Sequence, residues 1–134
     1  MSLFVDTSVW SLALRRDRPP SSPQVAALLK AIESGELLVT TGLVLQELLQ
    51  GFTGPKARAQ ILQRFSSLPL LMPDRVDHVE AATLRNICRR HGVQVGTIDA
   101  VLAQMCIRHN LVMLSGDHDF QRIATHSALR VWES

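Results

Sequence analysis

Leu3-Phe4-Val5-Asp6-Thr7-Ser8-Val9-Trp10 decides how the chain is read: three apolar residues, one acid, then a helical pattern. An apolar run with no polar alternation fits a strand buried on both faces, as in a parallel sheet covered by helices. The same grammar returns at Leu111-Val112-Met113-Leu114-Ser115-Gly116-Asp117-His118-Asp119-Phe120. Working outward, Ser8 to Arg15 reads as a helix, and the prolines of residues 16–23 forbid continuation of either element. Pro23 suits the first turn of a helix that stops before Gly35. Leu37–Thr40 is a second strand, and Thr41 caps a helix reaching Gly51. Lys56–Phe65 is helical, and Leu68–Met72 is a weaker strand that Pro69 confines to an edge. Long helices over Val76–His91 and Ile98–Arg108 precede the strand Leu111–Leu114. A short helix after Asp119 and a fifth strand, Leu129–Trp132, complete the chain. Strands alternating with helices imply α/β architecture with a central parallel sheet of five strands.

The bulk properties set bounds. At 134 residues, 46% hydrophobic and 19% charged, the chain fits a single domain over residues 1–134 that needs no disulfide or zinc staple. No apolar run approaches the ~20 residues of a membrane span, and the start lacks a signal-peptide pattern. A cytoplasmic protein without a membrane partner is therefore expected. Cys88 and Cys106 form no CxxC pair and are read as reduced, buried thiols. Net charge is only +2, yet every base except Lys30 and Lys56 is arginine, the side chain suited to bidentate phosphate contacts.

Four acids stand out: Asp6 after the first strand, Glu47 within a helix, Asp99 in a helical first turn, and Asp117 after the fourth strand. Taken singly, Asp6 and Asp117 read as turn or cap residues, Asp99 as a dipole partner and Glu47 as a solvated side chain. Glu47 is the hardest to explain so, because it lies on the flank of its helix's apolar stripe with Gly51 one turn on. Ligands of an open parallel sheet bind outside the carboxyl ends of its strands. Were the first and fourth strands neighbours, their ends would lie about 5 Å apart, and the carboxylates of Asp6 and Asp117 could share an ion. Like charges so gathered repel unless a cation neutralises them, and oxygen ligands alone suit Mg²⁺ or Mn²⁺.

On the motifs VDTSVW, the helical Glu47, TIDAVLA and LSGDHDF, the chain resembles the PIN-domain ribonucleases, and among them the VapC-type toxins of toxin–antitoxin pairs. The resemblance spans essentially the whole length. It implies a three-layer α/β/α PIN-like fold and a metal-dependent endoribonuclease that leaves a 5′-phosphate and a 3′-hydroxyl. It makes Asp6, Glu47, Asp99 and Asp117 both catalytic and metal-binding through Mg²⁺ or Mn²⁺. Supporting roles fall to Thr7 or Ser8, to Thr97, whose hydroxyl would cap its helix and orient Asp99, and to Asp119, ranked below the other acids. It also implies an RNA substrate, a cognate antitoxin and a homodimer. Arg15, Arg16, Arg85 and Arg89 are the candidate RNA contacts, with Arg85 and Arg89 one helical turn apart. His118 reads as surface-exposed, and Trp10 with Leu14 as core packing.

Two rivals are weaker. A receiver-type phosphoacceptor domain needs a lysine at the carboxyl end of a late strand, and neither Lys30 nor Lys56 lies there. A haloacid-dehalogenase-like phosphatase needs an aspartate two residues after the first, where this chain has Ser8. A non-catalytic RNA- or protein-binding relative is opposed by the intact acidic quartet.

Overall fold

A computed structural model describes residues 2–15 and 22–134. Among these residues five strands form one parallel sheet: β1 (Leu3–Val5), β2 (Leu38–Thr41), β3 (Leu70–Leu71), β4 (Val112–Leu114) and β5 (Arg130–Val131). The strand order is β3-β2-β1-β4-β5. The chain therefore winds outward from β1 in one direction, then crosses back to β4 and winds in the other. The reversal lies between β1 and β4, paired in the register Leu3↔Val112, Phe4↔Met113 and Val5↔Leu114.

The crossovers explain the layers. Helices α1 (Thr7–Leu14) and α2 (Pro23–Glu33) link β1 to β2, and α3 (Gly42–Gly51) and α4 (Pro55–Phe65) link β2 to β3. Helices α5 (Arg75–Arg90) and α6 (Thr97–Arg108) return to β4, and α7 (His118–Ala124) links β4 to β5. Right-handed crossovers put the first four helices on one face of the sheet and the last three on the other. Packing agrees: α1 meets α2 and α3, α3 meets α4, and α6 meets α5, α7 and β4. This is the expected three-layer arrangement.

The central strands are as apolar as the sequence demands. Phe4, Val5, Met113 and Leu114 have no exposed surface, and all three residues of β4 and all four of β2 are buried. Local chemistry sets the helix ends. Ser22 accepts the Val25 N–H ahead of Pro23, and Thr41 accepts the Val44 N–H at 3.3 Å. Asp74 and Asp77 form a reciprocal capping box at the start of α5. Gly35 and Gly92, with φ of 70° and 78°, follow the ends of α2 and α5. Cys88 and Cys106 are buried free thiols, and burial pushes the pKa of each up.

Boundaries shift in detail. The edge strands β3 and β5 are two residues each, where the apolar runs suggested four or five. Helix α1 begins at Thr7, and α7 begins at His118, ahead of the expected position after Asp119. The proline-rich loop and Arg16 lie outside the described residues. Trp10 is core, as expected, packed on Phe65 with ring centroids 5.0 Å apart.

Because the buried Thr41 hydroxyl is the side-chain cap of α3, Thr41→Ala should destabilise the protein by about 1–2 kcal/mol. Urea unfolding should show a lower midpoint with an unchanged slope.

Candidate metal centre

The first acid is positioned by the sheet itself. The Asp6 N–H continues the β1–β4 ladder to the Leu114 carbonyl at 2.9 Å. Asp6 occupies the N-cap position of α1, yet its carboxylate caps nothing. Its Oδ2 instead accepts the Ser8 hydroxyl at 2.8 Å and the Ser115 hydroxyl at 2.9 Å. Each of those hydroxyls also accepts a backbone N–H from the loop after β4. Gly116 donates to Ser8 Oγ at 3.1 Å, and Asp117 donates to Ser115 Oγ at 2.9 Å. A closed set of hydrogen bonds thus ties the carboxyl ends of β1 and β4 together at the point where strand order reverses.

Asp117 is the N-cap of α7, and its Oδ1 accepts the Asp119 N–H at 2.9 Å. Asp99 stands in the first turn of α6. Carboxylate oxygens of Asp99, Asp117 and Asp119 all lie within 4.8 Å of one another. Glu47 projects from the middle of α3, and its Oε1 accepts the Thr7 hydroxyl at 2.9 Å. Nothing lies within 4 Å of where a Gly51 side chain would begin, so the space beside Glu47 is open.

Asp99 records how these charges converge. Burial is the main reason its pKa rises from 3.8 to about 6, and the charges of Asp6, Asp117, Asp119 and Glu47 each raise it further. Among the described residues only Asp119 of these acids has a cationic partner, Arg122 at 3.2 Å. Among the described residues no thiol or imidazole belongs to the group. A crowded, under-neutralised set of oxygen donors fits a hard divalent cation. Oxygens sharing one Mg²⁺ lie about 3–4 Å apart, within reach of small side-chain rotations here.

Compared with the sequence, the structure redraws the group in three places. Asp119, ranked below the quartet, has its carboxylate in the tight trio, whereas Asp6 and Glu47 lie outside that trio. Thr97 does not cap α6: the N-cap is Gly96, in extended backbone, and no side chain caps the helix. Thr97 is already in helical conformation at the first position, where a hydroxyl is not aimed at the free N–H groups. Thr7 and Ser8 divide the hydroxyl role, one serving Glu47 and the other Asp6. Ser115 escaped notice, although its place one residue past the fourth strand puts it level with Asp6. His118 is exposed, as are Arg15, Arg85 and Arg89.

Fold and site together define a doubly wound α/β protein with an acidic centre at its switch point. The profile of the PIN domain matches residues 3–125, and the chain belongs to that family. Ribonuclease VapC11 of Mycobacterium tuberculosis is 27% identical over 124 residues, 91% of each chain. Among solved structures, VapBC-1 from nontypeable Haemophilus influenzae superposes with a TM-score of 0.75 at 18% identity, covering 99% of this chain and 98% of that one. Mycobacterium tuberculosis VapC20, described as a toxin cleaving the sarcin–ricin loop, gives 0.64 at 20% identity, covering 96% and 98%. These structural likenesses bear on the fold.

The raised pKa of Asp99 has a thermodynamic consequence for the metal-free protein. Between pH 3.8 and about 6 the folded state holds a proton that the unfolded chain has released, so stability falls as pH rises through that window. The shift corresponds to roughly 3 kcal/mol before screening. With Asp99 half-exposed, about 1–2 kcal/mol should remain. In EDTA, Asp99→Asn should melt higher than the parent at pH 7, with the gap closing near pH 4; a lower melting point at pH 7 would contradict it.

Proposed function

We propose that the chain is an endoribonuclease dependent on Mg²⁺ or Mn²⁺, acting as the toxin of a toxin–antitoxin pair. The observation that carries this reading is the convergence of Asp6, Glu47, Asp117 and Asp119 on Asp99, with one arginine among them. Membership of the PIN domain family supports it, as do relatives named as VapC ribonucleases and likenesses solved as VapBC complexes. In this reading residues 1–134 act as one nuclease unit.

Asp99, Asp117 and Asp119, whose carboxylate oxygens lie within 4.8 Å of one another, would hold the ion together with Asp6, with Glu47 at its margin. The bound ion would supply an activated water and stabilise the charge developing on the departing oxygen. The chain's own part is orientation. Ser8 and Ser115 hold Asp6 Oδ2, leaving Oδ1 without a hydrogen bond among the described residues. Thr7 holds Glu47, and the Asp119 N–H holds Asp117. With the side chains oriented in this way, only small rotations would be needed for the acids to close on a cation.

The receiver reading gains nothing from the structure. Lys30 lines a cavity with Leu3 and Trp132 at the opposite end of the sheet from Asp6. No helix among the described residues is long and apolar enough to cross a membrane.

Purified protein should cut RNA in Mg²⁺ or Mn²⁺, leave 5′-phosphate ends, and stop in EDTA. Asp6→Asn and Asp99→Asn should each lower kcat by a hundredfold or more; cleavage that survives both substitutions and EDTA would sink the proposal. Ser115→Ala should weaken metal affinity about 10- to 100-fold, read by calorimetry, because one hydroxyl orients both Asp6 and the Asp117 backbone.

A further inference from the structure

The acidic centre would hold a scissile phosphate but offers little to the rest of a polyanion, which requires a cationic track leading away from it. Such a track is present. A cavity of about 650 Å³ is lined by Asp119, Arg122, Gly92, Val93 and Gln94. A second, of about 580 Å³, is lined by Arg85, Arg89, Val93, Gln94, Val95 and Gly96. Val93 and Gln94 belong to both, so the two cavities share the turn between α5 and α6. One end touches the carboxylate cluster through Asp119, and the other ends on two arginines.

Arg85 differs from an arginine on a solvated helix face. The Arg85 Nε–H donates to the Val95 carbonyl at 2.8 Å, which anchors the side chain, and among the described residues neither terminal nitrogen makes a hydrogen bond. Among the described residues neither Arg85 nor Arg89 makes an ion pair. An anchored guanidinium without an acidic partner is ready for a bidentate phosphate contact at low entropic cost. Gln94, between the basic ends, offers both a donor and an acceptor to a base edge or a 2′-hydroxyl.

We propose that, on one side of the cut, the RNA strand runs across the 92–96 turn, its backbone passing Arg122 and then seated by Arg85 and Arg89. This rests on the ribonuclease reading and adds the direction in which substrate leaves the acidic centre. Arg85 and Arg89 are positioning residues for the distal phosphates.

The test measures binding of a labelled single-stranded RNA by fluorescence anisotropy between about 50 and 200 mM salt, with Asp6→Asn as the non-cutting background. Arg85→Gln/Arg89→Gln should weaken binding about tenfold or more and flatten the logarithmic salt slope by about 1.4, the value for two lost phosphate contacts. Arg89→Gln alone breaks no hydrogen bond among the described residues and should give about half that change in slope. In the cutting protein the double variant should raise KM and spare kcat. Lys30→Gln/Arg130→Gln removes the same charge at the far end of the sheet and should leave binding unchanged. Equal losses in both pairs, or none in the first, would overturn the path while leaving metal-dependent cleavage standing. Unchanged RNA affinity with lost antitoxin binding would overturn it too, reassigning the arginines to a protein contact. A parent that neither binds nor cuts RNA would overturn both readings.

Discussion

The rest of the molecule depends on the pairing of β1 with β4. In the sheet of the described residues the winding reverses between these two short strands, β1 leading to β2 on one side and β4 to β5 on the other. Their carboxyl ends therefore open into the crevice that helices cover everywhere else. Everything polar in that crevice is set by the ladder. Asp6 N–H extends it by one bond, and Ser8 and Ser115 stitch the two loops leaving it. The repulsion stored at Asp99 is tolerated because the apolar strands beneath hold the loops in place. It is a local destabilisation of the kind functional sites carry at the expense of stability.

A second constraint fixes the other side of the crevice. Arg108, at the end of α6, reaches back to Asp74 at 2.9 Å and to the fully buried Asp77 at 2.8 Å. One oxygen of Asp77 has no hydrogen-bond partner, so this pair is not an efficient way to gain stability. Its value is geometric, because it locks the start of α5 to the end of α6. With the hairpin held there, its opposite corner presents the turn of residues 92–96 on one side and Asp99 on the other. Arg85, Arg89 and Asp99 therefore share the α5–α6 hairpin.

Much of this was legible in the chain, for identifiable reasons. Continuous apolar runs announced β1 and β4, and glycines, prolines and capping side chains marked helix ends, because these signals act over a few residues. The acids were visible because carboxylates at strand ends are conspicuous against an apolar background. What stayed hidden depended on contacts between distant segments. The bond from Ser115 to Asp6 spans 109 positions, and that from Thr7 to Glu47 spans 40. Asp119 was ranked below the other acids because its nearness to Asp99 exists only once α6 and α7 are packed. Arg85 resembled any exposed arginine until the hairpin brought the Val95 carbonyl under it. The edge strands were overestimated since apolar content reports burial, whereas strand length is set by how far the neighbouring strand extends.

Those abbreviated edges have a consequence for how the protein meets others. β3 and β5 each offer two residues of pairing, and Pro69 directly before β3 lacks an N–H. A foreign strand would find almost no ladder to extend, so the sheet is shielded from edge-to-edge aggregation despite its apolar core. The same feature closes off strand addition as a route to complex formation.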